Sequence, residues 1–105
     1  MNPEVQKKIT EDIKNHKIIM YVKGNKEMPM CGFSKRVMDI FLDLGANFET
    51  RDVLSDPEIR EGIKQFTQWP TIPQIFINGE FVGGCDIVTD LYASGELKKM
   101  VDAAK

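Results

Sequence analysis

Two thiols are the residues of this chain best suited to chemistry. Cys31 and Cys85 are the only cysteines among 105 residues. Two cysteines cannot build the multi-bridge framework of a small secreted scaffold, so the question is what each thiol does in a reducing compartment. Cys31 ends a loop punctuated by Gly24 and Pro29 and opens a helical pattern with Gly32-Phe33-Ser34. At a helix start, unpaired backbone N–H groups and the positive end of the helix dipole favour a thiolate over a free thiol of pKa about 8.5. Such a thiolate is a nucleophile or a metal ligand. A free cysteine can also be a small core hydrophobe, but a loop carrying glycine and proline is a poor place for core. Cys85 lies between Gly83-Gly84 and Asp86, where its backbone N–H, its sulfur or both could serve.

No close pair of cysteines is present to seed a structural zinc site. His16, the single histidine, has no metal-ligating partner at useful spacing and reads as surface. A Cys-x-x-Cys pair after a strand and before a helix would indicate thioredoxin-like redox chemistry, but its fourth position here is Ser34. With no neighbouring thiol to resolve a mixed disulfide, Cys31 needs a second thiol from outside or from Cys85. One form of the latter is a regulatory Cys31–Cys85 disulfide under oxidation.

The string Cys31-Gly32-Phe33-Ser34 resembles the signature of the monothiol glutaredoxins. Three further segments agree in order and spacing: Lys23 ahead of the active loop, Trp69-Pro70-Thr71-Ile72-Pro73-Gln74, and Gly83-Gly84-Cys85-Asp86. The resemblance covers nearly the whole chain and implies a thioredoxin-like α/β fold with a cis Ile72-Pro73 bond beside the thiol. It further implies a glutathione site. Lys23 and Arg60 would hold carboxylates, the Thr71 and Ile72 backbone would pair with the cysteinyl part, and Cys85-Asp86 would receive the γ-glutamyl end. The residue types suit such a ligand, since two carboxylates and an ammonium need cations, helix N-terminal N–H groups and one anion. Without the family, Arg60 reads as part of a solvated helix face beside Glu58 and Glu61, and Trp69 reads as packing.

The resemblance also implies a [2Fe-2S] cluster with Cys31 as ligand. Such a cluster normally needs four thiolates, which one chain cannot supply, so the site must be shared. Two Cys31 thiolates from a homodimer and two glutathione thiolates meet the count, and this is the family's arrangement; paired Cys31 and Cys85 would also meet it. The implied role is iron–sulfur cluster assembly, transfer or storage, with scaffold and recipient proteins and BolA-like proteins as partners. The competing class is an enzyme, a glutathione-dependent thiol-disulfide oxidoreductase in which Cys31 attacks a glutathione mixed disulfide.

Positioning these residues requires ordered elements. Val5, Ile9 and Ile13 recur every four residues behind Pro3 and predict an amphipathic helix. Ile18-Ile19-Met20-Tyr21-Val22 predicts a buried strand. Val37, Met38, Phe41, Leu42 and Leu44 predict a helix after Cys31, stopped at Gly45. Phe48 to Val53 reads as a strand, and Ser55-Asp56-Pro57-Glu58 as a helix start whose apolar face is Ile59, Ile63 and Phe66. Asn78-Gly79 predicts a hairpin between Gln74–Ile77 and Glu80–Val82. Two short helices, around Ile87 to Tyr92 and Leu97 to Val101, follow a break at Gly83-Gly84. This order predicts one domain, residues 1–105, with a four-stranded mixed sheet flanked by helices on both faces. Its composition of 42% hydrophobic and 29% charged residues suits a globular protein, and a net charge of −2 offers no general attraction for nucleic acid. The first residues lack the apolar run of a secretory signal, and no stretch has the length of a membrane span. A cytoplasmic protein, or a processed form in an organelle matrix, is expected.

Overall fold

The computed structural model describes all 105 residues. Helix α1 (Pro3–Asn15) begins where the Asn2 side chain accepts the Glu4 N–H at 2.8 Å, and buries Val5, Ile9 and Ile13. Strand β1 (Ile18–Val22) is buried throughout. It is followed by α2 (Gly32–Asp43), β2 (Glu49–Asp52), α3 (Pro57–Thr67), β3 (Gln74–Ile77), β4 (Glu80–Gly83), α4 (Cys85–Ser94) and α5 (Glu96–Ala103). Asp56 caps α3 by accepting the Ile59 N–H at 3.2 Å, with Pro57 in the first turn. Between β3 and β4, Asn78 and Gly79 both have positive φ, 52° and 79°, as a two-residue hairpin turn requires.

The sheet order is β2-β1-β3-β4, with β1–β2 parallel and the pairs β1–β3 and β3–β4 antiparallel. One core cluster unites β1 and β3 with α2, α4 and α5 through residues such as Met20, Phe41, Ile75, Val88 and Leu97. The opposite cluster packs α1 and α3 on the other face through Ile9, Tyr21, Ile63 and Phe76. Alternate residues of β1 face the two clusters, as a central strand covered on both sides demands. The architecture is the four-stranded mixed sheet with helices on both faces that the sequence order predicts.

Two apolar assignments differ. Leu42 is 55% exposed. At about 100° per residue, Val37, Met38, Ile40 and Phe41 share the core-facing side of α2, and Leu42 falls beyond its edge. Phe66 is half out of α3's apolar face, 38% exposed, and meets Phe76 edge-on with ring centroids 6.5 Å apart. Strand β2 is shorter than the predicted Phe48–Val53 run; those two residues are buried as its flanks. His16 is also more than a surface residue, because its Nδ1 lies 2.9 Å from the Asp12 carbonyl at the end of α1 and its Nε2 3.9 Å from Glu49.

Candidate functional site

The topology brings the chemistry to one end of the sheet. Strand β1 ends at Val22 and leads to Cys31. Because β3 runs antiparallel to it, with Tyr21 opposite Gln74, the segment entering β3 lies at the same end. Strand β4 leaves there too, Gly83 pairing with Ile75, and hands the chain to Gly84-Cys85. Parallel β2 delivers the start of α3, with Arg60, to this end as well. Four segments distant in sequence therefore surround one cleft of about 460 Å³. Cys31, Lys23, Arg60, Thr71, Ile72, Cys85 and Asp86 all line it.

Cys31 is the N-cap of α2, partly exposed and free. Its thiol pKa is lowered from the ordinary value, first by the Ser34 backbone N–H, opposed by partial desolvation, then by the Phe33 N–H, the Lys23 charge and the Ser34 hydroxyl. Ser34 is fully buried and its Oγ accepts the Lys23 N–H at 3.0 Å. The residue that replaces a second cysteine thus joins the start of the active loop to the start of the helix. The loop itself is closed. Met30 N–H donates to the Lys23 carbonyl at 2.9 Å, Asn25 Oδ1 accepts the Glu27 and Met28 N–H groups, and the Gly24 N–H donates to Asp52 Oδ1 at 3.0 Å.

Across the cleft, Ile72-Pro73 is the single cis peptide bond. Trp69 lines the cleft and also packs on Phe81, ring centroids 5.7 Å apart, so packing and contact are combined in one side chain. Gly84 closes tightly here: a Cβ on it would stand 3.2 Å from the Pro73 carbonyl and 3.3 Å from Trp69 Nε1. Helix α4 begins at Cys85 after the N-cap Gly84, with no side-chain cap, so its first N–H groups have no side-chain partner in the first turn, whose Cys85, Asp86 and Ile87 line the cleft. Lys64, which sequence reasoning passed over, also lines the cleft. The available signal was its position four residues after Arg60, on the same face of α3. Phe33, Pro70 and Ile87 complete the lining where the sequence assigned no role.

Nine ion pairs occur in the chain, and none uses Lys23, Arg60, Lys64 or Asp86. The cleft therefore offers Lys23 beside the thiol, Arg60 and Lys64 from α3, and a carboxylate at the start of α4, around a thiol biased toward thiolate. That arrangement can receive a small zwitterionic peptide with its sulfur against Cys31.

Residues 18–82 match the glutaredoxin family model. The chain belongs to the glutaredoxin family. Within it the similarity is to monothiol members: an uncharacterised monothiol glutaredoxin of Synechocystis is 52% identical over 104 residues, 99% of this chain and 97% of that protein. Among solved structures, reduced apo GrxS14 of poplar is 41% identical and superposes with a TM-score of 0.86 over 98% of this chain and 94% of that one. A buckwheat glutaredoxin–glutathione complex is 26% identical with a TM-score of 0.86 over 96% of this chain and 90% of that one. The fold is accordingly the thioredoxin fold of the glutaredoxins. In this monothiol glutaredoxin Ser34 stands where a dithiol protein would place its resolving cysteine.

Proposed function

We propose that this monothiol glutaredoxin binds glutathione in the Cys31 cleft and carries a [2Fe-2S] cluster between two protomers, acting in cluster assembly, transfer or storage. The observation that carries the reading is one accessible thiol of lowered pKa facing a cleft with uncommitted charges, in a chain with no group of three or more metal-ligating side chains. One chain cannot complete four-thiolate ligation. Two Cys31 thiolates and two glutathione thiolates can.

Each residue then has a role. Lys23 and Arg60 hold carboxylates of glutathione, the Thr71 and Ile72 backbone pairs with its cysteinyl part in strand-like fashion, and Cys85-Asp86 receives the γ-glutamyl end. Cys31 is the protein's ligand to the cluster, and its lowered pKa supports this because thiolate is the ligating form. A ligand set that includes an exchangeable tripeptide suits a carrier that releases its cargo. Scaffold and recipient proteins and BolA-like proteins are the partners we assign. The cytoplasm, or an organelle matrix for a processed form, is the compartment, supported by two unpaired thiols; no helix is long and apolar enough to cross a membrane.

The same thiolate supports a second reading, thiol transfer. Cys31 would attack a protein–glutathione disulfide, releasing the protein thiolate and becoming glutathionylated; a second glutathione would then release oxidised glutathione and restore Cys31. Anaerobic reconstitution with ferrous iron, sulfide and glutathione distinguishes the two. A coloured dimer holding one [2Fe-2S] unit and two glutathiones by native mass analysis, lost in Cys31→Ser, is the expected result. A colourless monomer with robust glutathione-coupled reductase activity would establish the enzyme instead.

A further inference from the structure

Apart from the Tyr21 hydroxyl, which has no hydrogen-bond partner, the buried polar side chains of the chain are Ser34 and Gln74, each with 0% exposure. Both lie under the cleft. Ser34 serves the thiol, whereas Gln74 touches neither the thiol nor the cleft lining's charges and has no role in the function proposed above. A buried amide persists only where its donors and acceptor are met, and those of Gln74 are met in a pattern with a consequence for the ligand.

Gln74 Nε2 donates to the Trp69 carbonyl at 2.8 Å and to the Thr71 carbonyl at 3.2 Å, and Oε1 lies 2.8 Å from the Thr67 hydroxyl, whose one proton it shares with the Ile63 carbonyl at 3.0 Å. The partners fix the amide's orientation, because the nitrogen can face two carbonyl oxygens and the oxygen cannot. Thr67 Oγ1 accepts the Trp69 N–H in turn, at 3.2 Å. The segment between α3 and β3 is thereby held from its inner side.

The Thr71–Ile72 peptide is trans, so its carbonyl and its N–H point in opposite directions. With the Thr71 carbonyl drawn inward to Gln74, the Ile72 N–H turns outward, on the side where Thr71 and Ile72 line the cleft. That N–H makes no hydrogen bond within the chain. An unpaired backbone donor at a cleft wall is an open place for a peptide carbonyl.

We infer that Gln74 is a positioning residue for ligand recognition: by holding the Thr71–Ile72 peptide plane from the core side, it presents the Ile72 N–H to a backbone carbonyl of a peptide in the cleft. Without the Nε2 donors the Thr71 carbonyl is released to seek water in the cleft, and the peptide plane no longer aims its N–H at the ligand. The inference rests on the glutathione reading of the cleft and names the device that makes one of its contacts.

S-methylglutathione is the probe, because its blocked sulfur can neither exchange with Cys31 nor ligate a cluster, so binding reports the groove alone. In the wild-type protein it should bind and shift the Ile72 amide resonance in ¹⁵N-resolved NMR. Gln74→Glu keeps the side chain's shape and an oxygen for Thr67 but removes both donors. At pH 8 the carboxylate faces two carbonyls, and affinity should fall about tenfold with loss of the Ile72 shift, the scale of one lost hydrogen bond. At pH 5.5, where a buried carboxyl is protonated and can donate once, affinity and the Ile72 shift should recover toward those of the wild type measured at the same pH. Thr67→Val, nearly isosteric and remote from the cleft, should weaken binding about threefold with the same signature, and it carries the test if Gln74→Glu fails to fold. Wild-type binding with unchanged affinity and an unchanged Ile72 shift in the variants would overturn the inference and leave the glutathione reading standing. Absence of binding to the wild type would overturn both.

Discussion

At the scale of single residues, the site depends on how Cys31 shares its surroundings with Ser34. The Ser34 backbone N–H is the largest stabiliser of the Cys31 thiolate, while its hydroxyl also receives the Lys23 N–H. Ser34→Ala keeps the backbone donor, removes the hydroxyl and leaves a part-buried N–H without its partner, which costs about 1–3 kcal/mol. The expected outcome is a lower melting temperature and a higher pH midpoint for Cys31 alkylation by iodoacetamide, though still below that of an ordinary thiol. The lowered thiol pKa also ties stability to pH. The folded chain gives up the Cys31 proton more readily than the unfolded one, so folding gains stability as pH rises from the native thiol pKa to the unfolded value, and loses that gain as pH falls through the native pKa. Denaturant midpoints of wild type and Cys31→Ser, compared from pH 6 to pH 10, should diverge toward the alkaline end. On the other wall, Arg60 and Lys64 are free of ion pairs. Replacing both with Gln should weaken S-methylglutathione binding about tenfold and flatten its salt dependence, as measured by calorimetric titration at two ionic strengths.

At the scale of elements, α1 and α3 lie close enough that one glycine decides their spacing. A Cβ on Gly62 would stand 2.4 Å from Val5 Cγ1 and 3.3 Å from Ile9 Cδ1. Alanine is the better helix former by about 1 kcal/mol, but overpacking costs about 1–3 kcal/mol. A β-branched valine held in the core cannot turn its methyl away freely. Gly62→Ala should therefore lose about 1 kcal/mol net in urea unfolding, and Gly62→Ala with Val5→Ala should recover part of it. The arrangement matters to function because α3 carries Arg60 and Lys64 to the cleft. Helical periodicity made the apolar stripe of α3 legible, but a glycine inside that stripe carries no mark of which helix it meets. Leu42 teaches the same point from the other side: its type is apolar, its angular position is not.

At the scale of the whole molecule, the cleft opens beside unusually exposed apolar side chains. Met28, Met30 and Phe33 are 65%, 60% and 61% exposed around Cys31. If two protomers share a cluster through Cys31, these side chains lie where the partner must approach, and their burial would add to the few bonds the cluster itself provides. Met30→Asp should leave the apo-protein folded and binding S-methylglutathione as before. Its reconstituted dimer, followed by analytical ultracentrifugation, should dissociate at about tenfold higher protein concentration than wild type. An unchanged dimer would place the protomer contact elsewhere.

The motifs around Cys31, Trp69 to Gln74 and Gly83 to Asp86 were legible in the sequence because local backbone chemistry writes them: a helix start, an X-Pro bond, a glycine pair before a helix. Strand and helix order were legible for the same reason, through period and turn residues. The tether from Asp52 to Gly24 was not, since its partners lie 28 residues apart and long-range pairing leaves no local pattern; the buried amide of Gln74 was not, because its partners Thr67, Trp69 and Thr71 sit where α3 gives way to an irregular turn that no period marks. Residue types and spacing determined what chemistry this chain has available. Only the sheet pairing, with β2 parallel and β3 antiparallel to β1 and β4 antiparallel to β3, decided that thiol, cations, peptide edge and helix N-terminus would meet at one end of the sheet, because strand direction sets which loops are neighbours.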